Sequence, residues 1–173
     1  MQNRHSSPIA SSRQASLIRH TVATVVAFFV GSGLYYFIEI AVRGWSHWSM
    51  AVCGGLCLAG IYHINRILSH QSILTRALCG AGLITLVEFV AGCILNVWLK
   101  MGIWSYAAYT LNLLGQICLY MSFLWFLLSI PACWICMGLH KIASSDRLFL
   151  KSAGRSMGGH AVYHADQNVG SKQ

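Results

Sequence analysis

Four long apolar runs, separated by short polar segments, dominate the hydrophobic pattern of the chain. They cover about residues 21–42, 49–67, 77–98 and 111–139. Each is close to or longer than the roughly 20 helical residues that cross about 30 Å of hydrocarbon. His63, Asn65 and Arg66 interrupt the second run, but side chains near a helix end can extend to the membrane surface. The pattern therefore predicts an all-α, polytopic membrane protein with four transmembrane helices.

Polar segments flank these runs on both sides. We predict a disordered cytoplasmic tail over residues 1–17, which is rich in serine, a four-helix transmembrane domain over residues 18–140, and a basic, mostly disordered cytoplasmic tail over residues 141–173.

The amino-acid composition is also typical of a protein that lies in a lipid bilayer. Hydrophobic residues make up 56% of the 173 residues and charged residues only 9%, whereas soluble domains carry about 25% charged residues. The net charge of +8 could indicate a nucleic-acid binder. However, the basic residues lie in short segments between apolar runs and form no basic face, so we expect membrane lipid and no nucleic acid as a partner.

The distribution of Lys and Arg predicts the orientation. Ten of the twelve lie in the two tails and in the connection between the second and third runs, and the other two are Arg43 and Lys100. Because basic residues accumulate on the cytoplasmic side, both termini are predicted to be cytoplasmic. An aromatic belt is then expected at the outer interface, formed by Trp45, Trp48, Trp98, Trp104, Tyr106 and Tyr109.

Glu88 is the acidic residue whose position in the membrane costs the most free energy. It lies near the middle of the third run, where an ionised carboxylate costs roughly 2.5 to 3.5 kcal/mol on insertion scales. We expect it to face inward, to be protonated, or both. Thr85, Gly92 and Asn96 share its helix face and would allow close packing, with Asn96 and Glu88 hydrogen-bonding across the interface. Glu88 could be a packing residue or line a substrate or proton path.

Other polar residues cluster toward the predicted outer side. Glu39 precedes Arg43 by four residues, which predicts an ion pair. Asn112 and Gln116 are predicted to share a face of the fourth helix. A polar pathway or pocket could combine these side chains, namely Glu39, Glu88, Asn96, Asn112 and Gln116, beside an outer loop that contains Arg43, Trp45, His47 and Trp48.

Catalytic signatures are missing from the sequence. It contains no GxxxxGK[ST] loop, no GxSxG elbow and no HExxH motif. We therefore expect no enzymatic activity, no cofactor and no metal site, and any use of ATP would need a separate subunit.

Two blocks carry a resemblance to a known family. They are RGWSHWSM at residues 43–50 and NLLGQICL at residues 112–119, supported by LVEF at residues 86–89 with Gly92, Asn96 and Trp98. Over roughly residues 34–130 the chain resembles the bacterial CmpB family, labelled as ABC-transporter type IV.

The resemblance implies a permease-like component of an ABC-type transporter in the bacterial plasma membrane, with a separate ATPase subunit as partner. Four helices leave little room for a channel, so a homo-oligomer or a partner is expected. The alternative is a non-transporting membrane scaffold or sensor that binds a partner or lipid through its outer Trp-rich loop.

Overall fold

The computed structural model describes the backbone of residues 8–169 and the side chains of residues 14–144. The chain divides into two units, residues 1–140 and 141–173. Its helices are α1 (Pro8–Arg43), α2 (Trp48–Ile67), α3 (Ile73–Gly92) and α4 (Leu119–Val169). A π-helix (Cys93–Trp98) continues α3, and two short strands, β1 (Asn112–Leu113) and β2 (Ile117–Cys118), precede α4.

Among the described residues, four helices are long and apolar enough to cross a membrane. Their spans are Gln14–Arg43, Trp48–Ile67, Ile73–Trp98 and Leu119–Ser144. The shortest has 20 residues, which at 1.5 Å per residue is about 30 Å, the thickness of the hydrocarbon core. The predicted all-α fold with four transmembrane helices is confirmed.

Large apolar side chains cover the outside of these helices. Phe29, Phe37 and Val42 in α1 are more than two-thirds exposed, as is Trp98. In water such a surface would be unfavourable, whereas in a bilayer acyl chains cover it.

Small residues let α1 and α2 cross closely. A Cβ atom added to Gly31 would lie 2.5 Å from the carbonyl oxygen of Gly54 and 2.6 Å from Cβ of Leu58. Glycines at such a crossing allow the two backbones to approach, which is how membrane helices gain packing energy without a hydrophobic driving force.

The two connections at one end of the bundle lie together. They are residues 44–47, between α1 and α2, and residues 99–118, between the π-helix and α4, and we call this the loop end. Arg43 Nη2 joins them, since it donates to the carbonyl of Ile103 over 2.6 Å. Met50, Ile103 and Trp104 form a buried core there.

The segment before α4 differs from the predicted helix. We predicted the fourth span from residue 111, but residues 112–118 form an antiparallel hairpin in which Asn112 pairs with Cys118 and Leu113 with Ile117. Leu111, Leu114 and Gly115 have φ angles of 56°, 52° and 67°. Such left-handed residues cannot continue an α-helix, so α4 begins at Leu119.

The helices also extend into segments predicted to be disordered. The described α1 begins at Pro8, inside the predicted 1–17 tail, and the described backbone of the second unit is helical as far as Val169. Lengthening an existing helix avoids the cost of nucleation, which explains how weakly periodic segments can be helical. Residues 1–7 and 170–173 of the predicted tails lie outside the described residues.

Candidate functional site

Glu88 is buried in α3 and accepts hydrogen bonds from two other parts of the chain. Its side chain is 8% exposed. Tyr106 Oη, in the 99–118 loop, donates to Oε1 over 2.8 Å, and Trp125 Nε1, in α4, donates to Oε2 over 2.7 Å. The carboxylate therefore joins three elements, and the prediction that Glu88 faces inward is confirmed.

The Tyr106 phenol is suited to remain a donor in this contact. Burial, followed by the neighbouring Glu88 carboxylate, raises the pKa of Tyr106 above its ordinary value. Both effects disfavour a phenolate, because it would be poorly solvated and would lie next to a negative group. Tyr106 therefore keeps its proton at neutral pH.

A cavity of about 200 Å³ opens beside Glu88 between the helices. All four membrane spans contribute to its wall, and Trp104 contributes from the 99–118 loop. The wall is almost entirely apolar apart from Glu88, with aromatic rings from Tyr35, Trp104 and Trp125 and with the small residues Gly31, Cys53, Gly54, Cys57 and Ala91 among its other members. We call this the Glu88 cavity.

Glu39 lies at the loop end in a separate polar contact. Arg43 Nη1 donates to its Oε1 over 2.9 Å, which confirms the predicted ion pair, and Ser46 Oγ donates to its other oxygen. Arg43 also lies over the ring of Trp45, with its guanidinium carbon 4.5 Å from the ring centroid. Glu39 is therefore neutralised locally, and its partners fix the short connection between α1 and α2.

Asn96 holds the 99–118 loop against the π-helix. Its Nδ2 donates to the Trp104 carbonyl over 3.0 Å and to Gln116 Oε1 over 2.9 Å. Its Oδ1 accepts from the backbone N–H of Ile103 over 2.7 Å. Of the two side chains predicted to hydrogen-bond across the helix interface, Glu88 does so through Trp125 of α4, whereas Asn96 bonds to the 99–118 loop instead of to another helix.

Asn112 and His47 have local roles. Asn112 is exposed, donates to the Tyr109 carbonyl over 2.7 Å and accepts from the backbone N–H of Gly115 over 3.0 Å. It therefore shapes the hairpin turn, and Gln116 lies in that turn as well, so the predicted shared face of a helix is wrong. His47 caps the N-terminus of α2 by accepting from the N–H of Ser49 over 3.3 Å.

The aromatic belt is only partly exposed. Trp45, Trp48 and Trp98 are at least half exposed, whereas Trp104 is only 8% exposed. Trp104 turns inward because its Nε1 donates to the backbone carbonyl of Gln116 over 3.1 Å, which leaves the ring free to line the Glu88 cavity.

A second polar cluster lies at the other end of the bundle, and sequence patterns did not indicate it. His20 Nδ1 is 2.9 Å from Tyr62 Oη, and the His20 and His140 rings stack with centroids 5.5 Å apart. Thr24 Oγ1 is 3.2 Å from His63 Nε2. These contacts join α1, α2 and α4, so their first effect is to fix the packing at that end.

The structure distributes the five predicted pathway residues over four sets of contacts. Glu88 lines the cavity, Glu39 pairs with Arg43, and Asn96 and Gln116 bond to each other, while Asn112 stays in the hairpin. Whether they serve one pathway remains a prediction.

Two partners of Glu88 were missed from the sequence, namely Tyr106 and Trp125. A signal was available, because a phenol or an indole N–H within an apolar environment needs an acceptor and buried acceptors are few in this chain.

Comparison with protein families decides the relationship. The family described as "Putative ABC-transporter type IV", the CmpB family, matches residues 26–152. The chain belongs to this family. The matched region includes α2, α3, the 99–118 loop and both donors to Glu88. Comparisons with curated proteins and with solved structures give no match.

Proposed function

We propose that this protein is the permease-like membrane component of an ABC-type transporter. The observation that carries the proposal is the family match over residues 26–152, which covers most of the membrane-spanning part. The four spans fit a membrane component, and the sequence has no nucleotide-binding loop. The chain itself is therefore not the enzyme, and ATP hydrolysis belongs to a separate subunit.

The Glu88 cavity supports a binding role within this function. Its volume of about 200 Å³ is enough for a small ligand but not for a continuous water-filled path. Transport would need a larger opening, and a second copy of the chain or a partner subunit would provide it.

The proposed orientation places both termini in the cytoplasm of a bacterial plasma membrane. It rests on the ten-to-two distribution of Lys and Arg. An ATPase would then meet the end of the bundle opposite to the loop end, at the connection around residues 68–72. There Arg76 donates to the carbonyls of Ser69 and Gln71 over 2.6 and 3.1 Å, which gives this short connection a defined shape.

A second candidate function is a scaffold or sensor that acts through the loop end. Trp48 and Trp45 are 69% and 50% exposed there. Glu39 and Arg43 hold the connection that contains Trp45 and that leads into Trp48, the first residue of α2. Exposed indoles on a fixed loop can bind a partner protein or lie among lipid head groups.

One experiment separates the two functions. An affinity-tagged chain is purified in mild detergent from its native membrane, and co-purifying ATPase activity is measured for the wild type and for the Trp45→Ala, Trp48→Ala double variant. The permease-like role predicts ATPase activity in both samples, because the tryptophans lie away from the proposed contact. The scaffold role predicts partners without ATPase activity, and those partners should be lost in the double variant.

A further inference from the structure

The wall of the Glu88 cavity combines one carboxylate with aromatic rings. Tyr35 and Trp125 line it with ring centroids 6.0 Å apart and planes inclined at 49°, and Trp104 lines it from the loop. Aromatic faces attract organic cations through their quadrupoles, and the attraction grows when the site is shielded from water. This wall therefore has the chemistry of a cation site.

Glu88 has acceptor capacity left for a ligand. Its two oxygens accept one hydrogen bond each, from Tyr106 and Trp125, whereas an ionised carboxylate has about four lone-pair sites. Both donors are neutral and so cannot balance a negative charge.

Among the described residues, none that lines the cavity is a Lys, Arg or His. Glu39, in the first span, already has its own cation, because Arg43 Nη1 lies 2.9 Å from Glu39 Oε1. An ionised Glu88 thus has no protein counter-ion in the cavity wall, and a bound cation would supply one.

The size of the cavity limits the ligand. An apolar cavity of about 150 Å³ holds benzene, so about 200 Å³ admits one ring with a small substituent.

We propose that the Glu88 cavity binds a small lipophilic organic monocation, with its charge at the Glu88 carboxylate and its apolar part against Tyr35, Trp104 and Trp125. This names the substrate class of the proposed permease and rests on that function for its biological role. Binding itself needs neither ATP nor a partner.

A pair of isosteric probes tests the charge. Phenyltrimethylammonium and tert-butylbenzene have the same shape, but only the first is charged. Binding of each is measured by isothermal titration calorimetry on the purified full chain in uncharged detergent. We expect the cation to bind at least tenfold more tightly than the neutral probe.

We expect Glu88→Gln to weaken cation binding at least tenfold, because removing one member of a buried charge pair costs much binding free energy. The neutral probe should bind this variant as it binds the wild type, which shows that the cavity is intact.

A matched pair of tryptophan variants tests the aromatic wall. Trp125 lines the cavity, whereas Trp134 on the same helix is 60% exposed and is not among the lining residues. Trp125→Leu should weaken cation binding by about two- to fivefold, because it removes both the cation–π contact and the Nε1 hydrogen bond to Glu88. Trp134→Leu should leave binding unchanged.

The proposal is overturned if neither probe binds, if the two probes bind equally, or if Glu88→Gln binds the cation as the wild type does. The second outcome would mean a purely apolar cavity, of the kind that an acyl chain fills. If these binding tests fail but an ATPase co-purifies with the chain, the permease-like role still holds. If the cation binds but no ATPase co-purifies, the cation site holds and the ABC-type role is rejected.

Discussion

Replacing Gly31 by alanine should destabilise the protein, whereas the same change at Gly33 should not. Both glycines lie in α1, two residues apart. An added Cβ at Gly31 would lie 2.5 Å from the Gly54 carbonyl oxygen and 2.6 Å from Cβ of Leu58, but at Gly33 it would meet nothing within 4 Å. The space beside Gly31 is thus filled by α2, whereas the space beside Gly33 is open.

The magnitude follows from two opposing effects. Alanine favours a helix over glycine by up to about 1 kcal/mol, and both variants share this gain. Only Gly31→Ala adds the cost of overpacking, about 1 to 3 kcal/mol, since the contact atoms at Gly54 and Leu58 belong to backbone or to the base of a side chain and cannot rotate away. The free energy of unfolding of Gly31→Ala should therefore lie about 1 to 3 kcal/mol below that of Gly33→Ala.

The assay is unfolding of the purified protein in mixed micelles by increasing SDS, followed by circular dichroism. The comparison of two Gly→Ala variants cancels helix propensity, so the difference reports the crossing of α1 and α2. Gly31 also lines the Glu88 cavity, so Gly31→Ala should reduce binding of phenyltrimethylammonium as well. If both variants unfolded at the same SDS fraction, α1 and α2 would not cross at Gly31 and Gly54, and the reasoning would be refuted.

Two further predictions concern the 99–118 loop. Leu114 has a φ of 52° and is 68% exposed, so Leu114→Gly should raise the free energy of unfolding by relieving about 1 kcal/mol of left-handed strain. Leu113→Gly in β1 should lower it. If both variants changed the free energy of unfolding in SDS in the same direction, this reasoning would be contradicted. Because burial and the Glu88 carboxylate raise the pKa of Tyr106 above its ordinary value of 10.0, the folded state holds this proton more tightly than the unfolded state. The stabilisation is complete below about pH 10 and falls as the pH rises above it, so the wild type should lose stability relative to Tyr106→Phe only above about pH 10. Parallel curves for the two proteins would show that the phenol is exposed.

The number of membrane-spanning helices was readable from the sequence, but the contacts of side chains within the membrane were not. The i, i+4 spacing of Glu39 and Arg43 predicted their ion pair because both residues lie on one helix. Trp125 is 37 residues from Glu88, and no local spacing connects them. Their contact depends on how α3 and α4 are rotated about their axes.

The loop end shows why some local predictions were wrong. Residues 111–118 are apolar enough to resemble the start of a span, yet three left-handed residues turn them into a hairpin. The loop is held by tertiary hydrogen bonds from Asn96 to Ile103 and Trp104. These hydrogen bonds offset the backbone strain. The hydropathy of the sequence cannot predict them.

The sequence by itself determined that the chain crosses a bilayer on four helices and that a carboxylate halfway along the third must be sheltered, because transfer of apolar and charged groups into hydrocarbon depends on residue type and local spacing. Only the tertiary structure decided that Tyr106 and Trp125 provide the shelter, that Trp104 turns inward, and that a cavity opens beside Glu88. Those features depend on the relative rotation and close crossing of distant helices, which are fixed by packing among residues far apart in the chain.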